Sequence, residues 1–152
     1  MSEAGTTGSL VWRLSMKWRA AIDRTVAPFG LTHAQYVLLA TLYGLWLQGL
    51  RPSQRELADA TGLEPVYISR LARALEDGGL IQRAASLQDP RALEMSLTSQ
   101  GEEIAIPAIA AVRQLHDELL EAIGGPRSLE TRRFRTSLRA LLRESEKGEP
   151  TQ

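Results

Sequence analysis

Three features of this 152-residue chain predict a mainly α fold that carries one small β-hairpin. Apolar residues recur at helical spacing over most of its length. Two short capped helices are joined by a glycine-containing turn, and directly after them the apolar period changes to two. Helix, turn, helix and hairpin in that order make a winged helix-turn-helix, here flanked by longer helices. With 43% hydrophobic residues the chain can bury a core, so it needs neither disorder nor disulfide stapling.

The elements follow in order. From Ser9 to Ala27, Val11, Leu14, Trp18, Ile22 and Val26 fall on one helical face, and Pro28 and Gly30 stop the helix. Leu31-Thr32-His33-Ala34-Gln35-Tyr36 is a helix start: Thr32 can cap the Gln35 amide, Gln35 can reach back, and Leu31 can staple onto Tyr36. The helix that follows, to about Leu47, carries one stripe of Tyr36, Leu39, Tyr43 and Trp46 and another of Leu38, Leu42 and Leu45. A helix apolar on nearly every side must lie between two layers. Ser53-Gln54-Arg55-Glu56 is a second capping box, opening a short helix that ends near Thr61-Gly62. Pro65 suits the first position of the next helix, which turns Ile68, Leu71 and Leu75 inward and stops at Gly78-Gly79.

Leu80 to Ala84 and Leu93 to Leu97 read as strands, the second alternating apolar and polar, with a polar loop from Ala85 to Arg91 between them. A long helix returns from Thr98 to Ile123, with Ile104, Ala108, Ala111, Leu115, Leu119 and Ala122 close to heptad spacing. Pro107 should kink it by removing the bond to the Glu103 carbonyl. Gly124-Gly125-Pro126 breaks the chain before a last amphipathic helix, about Ser128 to Arg143. The small, polar or charged ends, residues 1–8 and 146–152, are expected to be flexible.

Composition narrows the function classes. Eighteen basic and eighteen acidic side chains cancel, so this is neither a uniformly basic coat protein nor an acidic tail protein. The sixteen Arg against two Lys fit a GC-rich coding sequence. Cysteine is absent, which removes disulfides, thiolate metal sites and thiol redox sensing. No apolar run approaches the ~20 residues of a membrane span, and the first residues lack a signal-peptide layout. A soluble cytoplasmic protein is the expectation. Catalysis would need a nucleophile with a base, paired carboxylates or a metal cage. His33 and His116 form no H-x-x-x-H pair and there is no glycine-rich phosphate loop, so no enzyme, metal or cofactor is expected.

The order of elements and several motifs resemble the MarR family of bacterial transcription regulators. The likeness runs through Leu31-Thr32-His33-Ala34-Gln35, Glu56-Leu57-Ala58, Ile68-Ser69-Arg70-Leu71 and Leu75-Glu76-Asp77-Gly78-Gly79-Leu80. It continues through Asp89-Pro90-Arg91, a D-x-R wing signature, to Leu97-Thr98-Ser99-Gln100-Gly101, an L-T-x-x-G helix start. It covers residues 9 to 145, and its specificity lies in the joint order of the motifs. The resemblance implies a homodimeric regulator, a repressor by expectation, bound to a pseudo-palindromic site on double-stranded DNA. It implies a helical dimerisation layer from residues 9–30 and 98–145 around a DNA-binding winged helix-turn-helix at residues 31–97.

The DNA-binding candidates are Ser53, Gln54, Pro65, Tyr67, Ser69, Arg70, Arg73, Arg83, Asp89 and Arg91. Tyr67, Ser69, Arg70 and Arg73 share the outward face of the recognition helix, where they can stack, donate to phosphate or read guanine. Residues 51–97 hold six Arg against seven acidic residues, so bulk charge does not announce DNA. The cations must be placed: Arg70, Arg73, Arg83 and Arg91 toward DNA, with Asp59, Glu76 and Asp77 elsewhere. By the resemblance, Arg91 enters a minor groove from the wing and is held by Asp89, since a narrow groove concentrates negative potential. Pro90 departs from the charged residue many relatives carry there and stiffens the wing. A winged helix used only for protein contacts would not need Arg at both recognition face and wing. The Arg-rich last helix (Arg127, Arg132, Arg133, Arg135, Arg139 and Arg143) could be another DNA surface, but the resemblance puts it in the dimer layer, so it reads as a solvated face that partners such as Glu118 and Glu121 could neutralise.

Six of the eight aromatic residues lie in the first 46 positions. Trp12 and Met16 fall off the main stripe of the first helix and need a second partner surface. The resemblance implies a crevice for a small aromatic effector, for which Trp12, Arg13, Met16, Tyr36 and Tyr43 are the candidates. Dimer contact explains Trp12 and Met16 equally well.

Overall fold

The computed structural model describes residues 5–148. Among the described residues, six α-helices and two strands follow in order: α1 (Thr7–Val26), α2 (His33–Leu47), α3 (Gln54–Thr61), α4 (Pro65–Asp77), β1 (Ile81–Ala85), β2 (Leu93–Leu97), α5 (Ser99–Leu120) and α6 (Leu129–Lys147). Short 3₁₀ turns, Ala27–Phe29 and Glu121–Ile123, extend α1 and α5. The chain divides into two compact units after Val112. Compactness therefore groups α1 and the first part of α5 with the winged helix, whereas the sequence reading separated them by role.

Local chemistry sets most boundaries. Both capping boxes form: Thr32 Oγ1 accepts from the Gln35 amide at 3.2 Å and Gln35 Oε1 from the Thr32 amide at 3.0 Å. Ser53 and Glu56 do the same at 3.2 and 2.7 Å. Helix α1 starts two residues earlier than its apolar stripe indicates, because the Thr6 hydroxyl accepts from the Ser9 amide. Helix α6 runs on to Lys147, whose ammonium pairs with Glu144 at 2.8 Å. The flexible ends expected at residues 1–8 and 146–152 are thus helical at 7–8 and 146–147; residues 1–4 and 149–152 lie outside the described residues.

In the first unit, α2 packs against α1, α3, α4 and β2, as a helix apolar on nearly every side must. Leu38, Leu39 and Leu42 are buried there, with Leu57, Ile68, Leu75, Ile81 and Met95 around the same core. Helix α2 is tied to the end of α1 where the His33 amide donates to Asp23 Oδ1 at 2.8 Å. The strands pair antiparallel, from Ile81 opposite Leu97 to Ala85 opposite Leu93. A third short piece was invisible in the sequence: Ser53 bridges Glu94, and the Met95 amide donates to the Pro52 carbonyl at 2.9 Å.

The Thr98-to-Gly101 run has a mechanical reason. Thr98 donates its hydroxyl to the Gly79 carbonyl at 2.6 Å and accepts from the Gly101 amide at 3.0 Å, while its own amide donates to the Leu80 carbonyl. A Cβ at Gly101 would overlap the Leu80 carbonyl oxygen and approach its carbon to 2.8 Å. Only glycine lets α5 begin so close to the turn between α4 and β1. Pro107 sits inside α5 without ending it.

In the second unit, Gly124 and Gly125 both take φ +90°, which turns the chain between α5 and α6. Thr131 is buried and donates to the Gly125 carbonyl at 2.7 Å. Burial holds the half-buried His116 imidazole below its ordinary pKa, against the opposing charge of Asp117. Among the described residues, the α6 arginines do not pair with Glu118 or Glu121. Arg132, Arg133, Arg135, Arg139 and Arg143 are exposed and, among the described residues, form no ion pair. Glu118 instead accepts from Gln114 Nε2 at 3.1 Å, one helical turn away on its own helix.

Candidate nucleic-acid interface

Helix α4 is built to present one face. Pro65 opens it, Gly62 at φ +72° makes the turn from α3, and Ile68, Leu71, Ala72 and Leu75 are buried. The opposite face shows Pro65, Tyr67, Arg70 and Arg73 to solvent, with Ser69 half-buried at its border. Arg70 and Arg73, three residues apart, lie side by side on the helix. Among the described residues neither has an ion-pair partner. Val66, which the sequence reading omitted, is 69% exposed on this face. The signal was there: 66, 70 and 73 follow the i, i+4, i+7 rule, and an apolar side chain there suits a thymine methyl group.

Ser53 and Gln54 lie at the start of α3. The Ser53 hydroxyl accepts from the Glu56 amide, which leaves its proton available to a phosphate. Gln54 faces inward by its oxygen, accepting from Arg83 Nη1 at 3.4 Å.

Arg83 corrects the expected division of charge. Its Nε donates to Glu76 Oε2 at 2.9 Å and its Nη2 to Glu76 Oε1 at 3.3 Å, with the side chain only 19% exposed. The sequence reading sent Arg83 to DNA and Glu76 elsewhere. Strand β1 instead folds back from the Gly78-Gly79 turn, so a side chain seven residues after Glu76 returns over the last turn of α4. The hydrogen bonds from Arg83 hold the Glu76 carboxyl below its ordinary pKa although desolvation opposes them, and Glu76 reciprocally raises Arg83.

The wing loop is wound on two side chains. Buried Ser86 accepts from the amides of Gln88 and Asp89 at 3.1 and 3.3 Å, and Asp89 Oδ1 accepts from the Arg91 amide at 3.0 Å. The aspartate therefore grips the backbone of Arg91. It makes no ion pair with the guanidinium, contrary to the role expected of it, because the turn brings the amide, not the longer side chain, to the carboxylate. Arg91 is left exposed, and Leu87 at the tip is wholly exposed.

The candidate effector residues divide. Trp12, 66% exposed, and Met16 stand on the N-terminal half of α1 with Arg13, while the α1 residues buried in the chain are Ile22 and Val26. Trp12 lies about 15 Å along the helix axis from Ile22. Tyr36 and Tyr43 are half-buried on α2, with the Tyr43 ring 6.0 Å from that of Trp46. A crevice lined by Trp12 and Met16 needs a second wall.

Comparison with known proteins fits this geometry. A family model described as the MarR family matches residues 31–93, the stretch from the cap of α2 to the start of β2. The HTH-type transcriptional regulator YdcH of Bacillus subtilis is 29% identical over 136 residues, covering 90% of this chain and 89% of its own. Over residues 31–93 the chain is similar to the MarR family. The HTH-type transcriptional repressor Rv2887 of Mycobacterium tuberculosis is also 29% identical, over 88% of this chain and 94% of its own. Its crystal structure in complex with salicylic acid superposes with a TM-score of 0.66 at 28% identity, covering 93% and 99% of the two chains. The MepR–DNA complex of Staphylococcus aureus shares the fold, with a TM-score of 0.81 at 24% identity over 94% of this chain and 99% of MepR.

Proposed function

We propose that this chain is a MarR-family, sequence-specific DNA-binding transcription regulator, a repressor working as a homodimer on a pseudo-palindromic operator. The observation that carries this reading is the face of α4. Its apolar stripe is buried, its outward cations Arg70 and Arg73 are unpaired among the described residues, and the nearby anion Glu76 is drawn back onto Arg83. An unneutralised pair of guanidinium groups beside Tyr67 and Val66 suits base edges and phosphates in a major groove. The exposed Leu10, Val11, Trp12, Leu14 and Met16 of α1, and Leu141 and Leu142 of α6, are surfaces for a second copy.

A small aromatic anion is the effector we propose, with Trp12 and Arg13 as contacts, supported by the salicylate complex of Rv2887. Such a ligand shifts the regulator only by its differential affinity for the DNA-competent and DNA-incompetent dimers. Residues 9–30 and 98–145 would form the dimer layer and residues 31–97 the DNA-binding part.

Selection of bound sequences from a random library by the purified protein tests the reading. An enriched inverted repeat is expected, and Arg70→Ala or Arg73→Ala should cost ~1–3 kcal/mol of binding to it while leaving the dimer intact. No enrichment over random DNA would refute it. Salicylate should quench tryptophan fluorescence and lower operator affinity together, and Trp12→Ala should blunt both.

A further inference from the structure

We infer that Arg83 is a positioning residue for sequence reading: its guanidinium locks the end of α4, strand β1 and the start of α3 into one register. This rests on the regulator reading above. Three of its nitrogens are engaged, Nε and Nη2 on the two Glu76 oxygens and Nη1 on Gln54 Oε1. A guanidinium is rigid and planar, so a fork onto one carboxylate fixes the plane in which the remaining nitrogen meets its partner. The group sits on β1, Glu76 on the last turn of α4 and Gln54 on the first residue of α3. The apolar stripe of α4 holds that helix in the core, and it constrains sliding along the axis less than a directional bond does. Base readout tolerates little displacement, because its hydrogen bonds demand geometry within about 0.5 Å.

Two further consequences follow from the same contacts. With Oε1 held by Arg83, the Gln54 amide is oriented, and among the described residues no hydrogen bond occupies its Nε2. That leaves an aimed donor of the kind that sets register on a phosphate backbone. Arg83 itself is a poor phosphate contact, because any phosphate that approached it would meet the Glu76 carboxylate alongside. The inference thus assigns Arg83 to specificity and removes it from the list of cations that bind the DNA backbone.

The decisive variant is the charge-neutral double substitution Glu76→Gln with Arg83→Gln, which removes the lock and leaves the net charge unchanged. Titrations at several salt concentrations, on the selected operator and on random DNA, read the result. Operator affinity should fall about tenfold, the scale of a charge-assisted hydrogen bond, with random-DNA affinity held within about twofold and the salt slope unchanged. Exchanging the pair, Glu76→Arg with Arg83→Glu, should restore part of the specificity. A salt slope shallower by nearly one per protomer, with both affinities falling together, would mean that Arg83 touches phosphate, and the inference is overturned. An unchanged specificity ratio overturns it too, since the pair is then a surface staple. If the neutral variant fails to fold, Arg83→Lys, which keeps a charge and loses the fork, is read by the same two titrations. If the wild-type protein selects no sequence at all, the regulator reading falls first and takes this one with it.

Discussion

Helix α4 and the N-terminal half of α1 use similar amounts of apolar side chain to opposite ends. In α4 the main apolar stripe is finished within the chain: Ile68, Leu71 and Leu75 are buried, and outside remain Arg70, Arg73 and Tyr67 with one exposed aliphatic side chain, Val66. In α1 only Ile22 and Val26 are buried, and Leu10, Val11, Trp12, Leu14 and Met16 face outward. On the function proposed above, the first arrangement is a reading head complete in one copy, and the second is a surface that another molecule would complete. Sequence periodicity alone cannot separate them, because a stripe facing a core and a stripe facing a partner obey the same spacing.

The largest test of that contrast is the same substitution made on both sides. Leu75→Ala, buried in the apolar stripe of α4, should cost ~2–5 kcal/mol of unfolding free energy in urea. Leu10→Ala should leave the unfolding of the single chain within about 0.5 kcal/mol and weaken self-association instead, seen as a concentration-dependent shift in light scattering. Equal losses in unfolding, with association intact, would erase the distinction.

Next in size is Gly101→Ala. Its Cβ meets backbone, which cannot rotate away, so the start of α5 or the α4–β1 turn must shift, at ~1–3 kcal/mol. A melting temperature equal to that of the wild type would show that the junction yields freely.

The wing supplies a smaller effect and a sharper one. Arg91→Ala should reduce the salt slope of DNA binding by nearly one per protomer, since a free cation is lost. Asp89→Ala should leave the slope unchanged while lowering affinity, because the carboxylate holds the Arg91 amide and not its guanidinium. A shallower slope in the Asp89 variant would return the aspartate to the side chain.

The smallest is a pH effect at Glu76. Its folded pKa is depressed, so the stabilisation it brings is present above its unfolded pKa and is lost as pH falls through the folded one. Glu76→Gln should therefore lower stability slightly near neutrality, where the carboxylate is charged, and converge with the wild type as pH falls, so that the acid limb is flatter. The carboxylate is partly exposed, so the difference is small, and urea midpoints taken across the acid range measure it.

What was legible in the sequence was chemistry between near neighbours. The boxes at Thr32 and Ser53, Pro65 at the head of α4 and the strand from Leu93 to Leu97 each need a few residues of context, and each forms as expected, although Leu93 at the strand's start is exposed. The losses came where the chain doubles back. Arg83 was read as a free cation because its partner faces it only after β1 reverses over α4. The bridge from Pro52 and Ser53 to β2 joins residues about forty apart and leaves no alternation to detect. In the candidate site, the outward face of α4 followed from helical spacing, which could also have supplied Val66. The grip of Asp89 on a backbone amide could not be told from a grip on a side chain.

The bridge at the base of the wing has a bearing on how the hairpin moves. One edge of β2 is fastened to β1 and the other to the Pro52 carbonyl, and Thr98 moors the strand's far end to Gly79 and Leu80. The amides of Met95 and Thr98 should then exchange with solvent only when the surrounding unit opens, while that of Leu87 at the exposed tip trades protons freely. The wing is a fingertip on a fixed knuckle. Arg91 rides beyond the knuckle, and on the proposed function it could feel for a groove without disturbing α4.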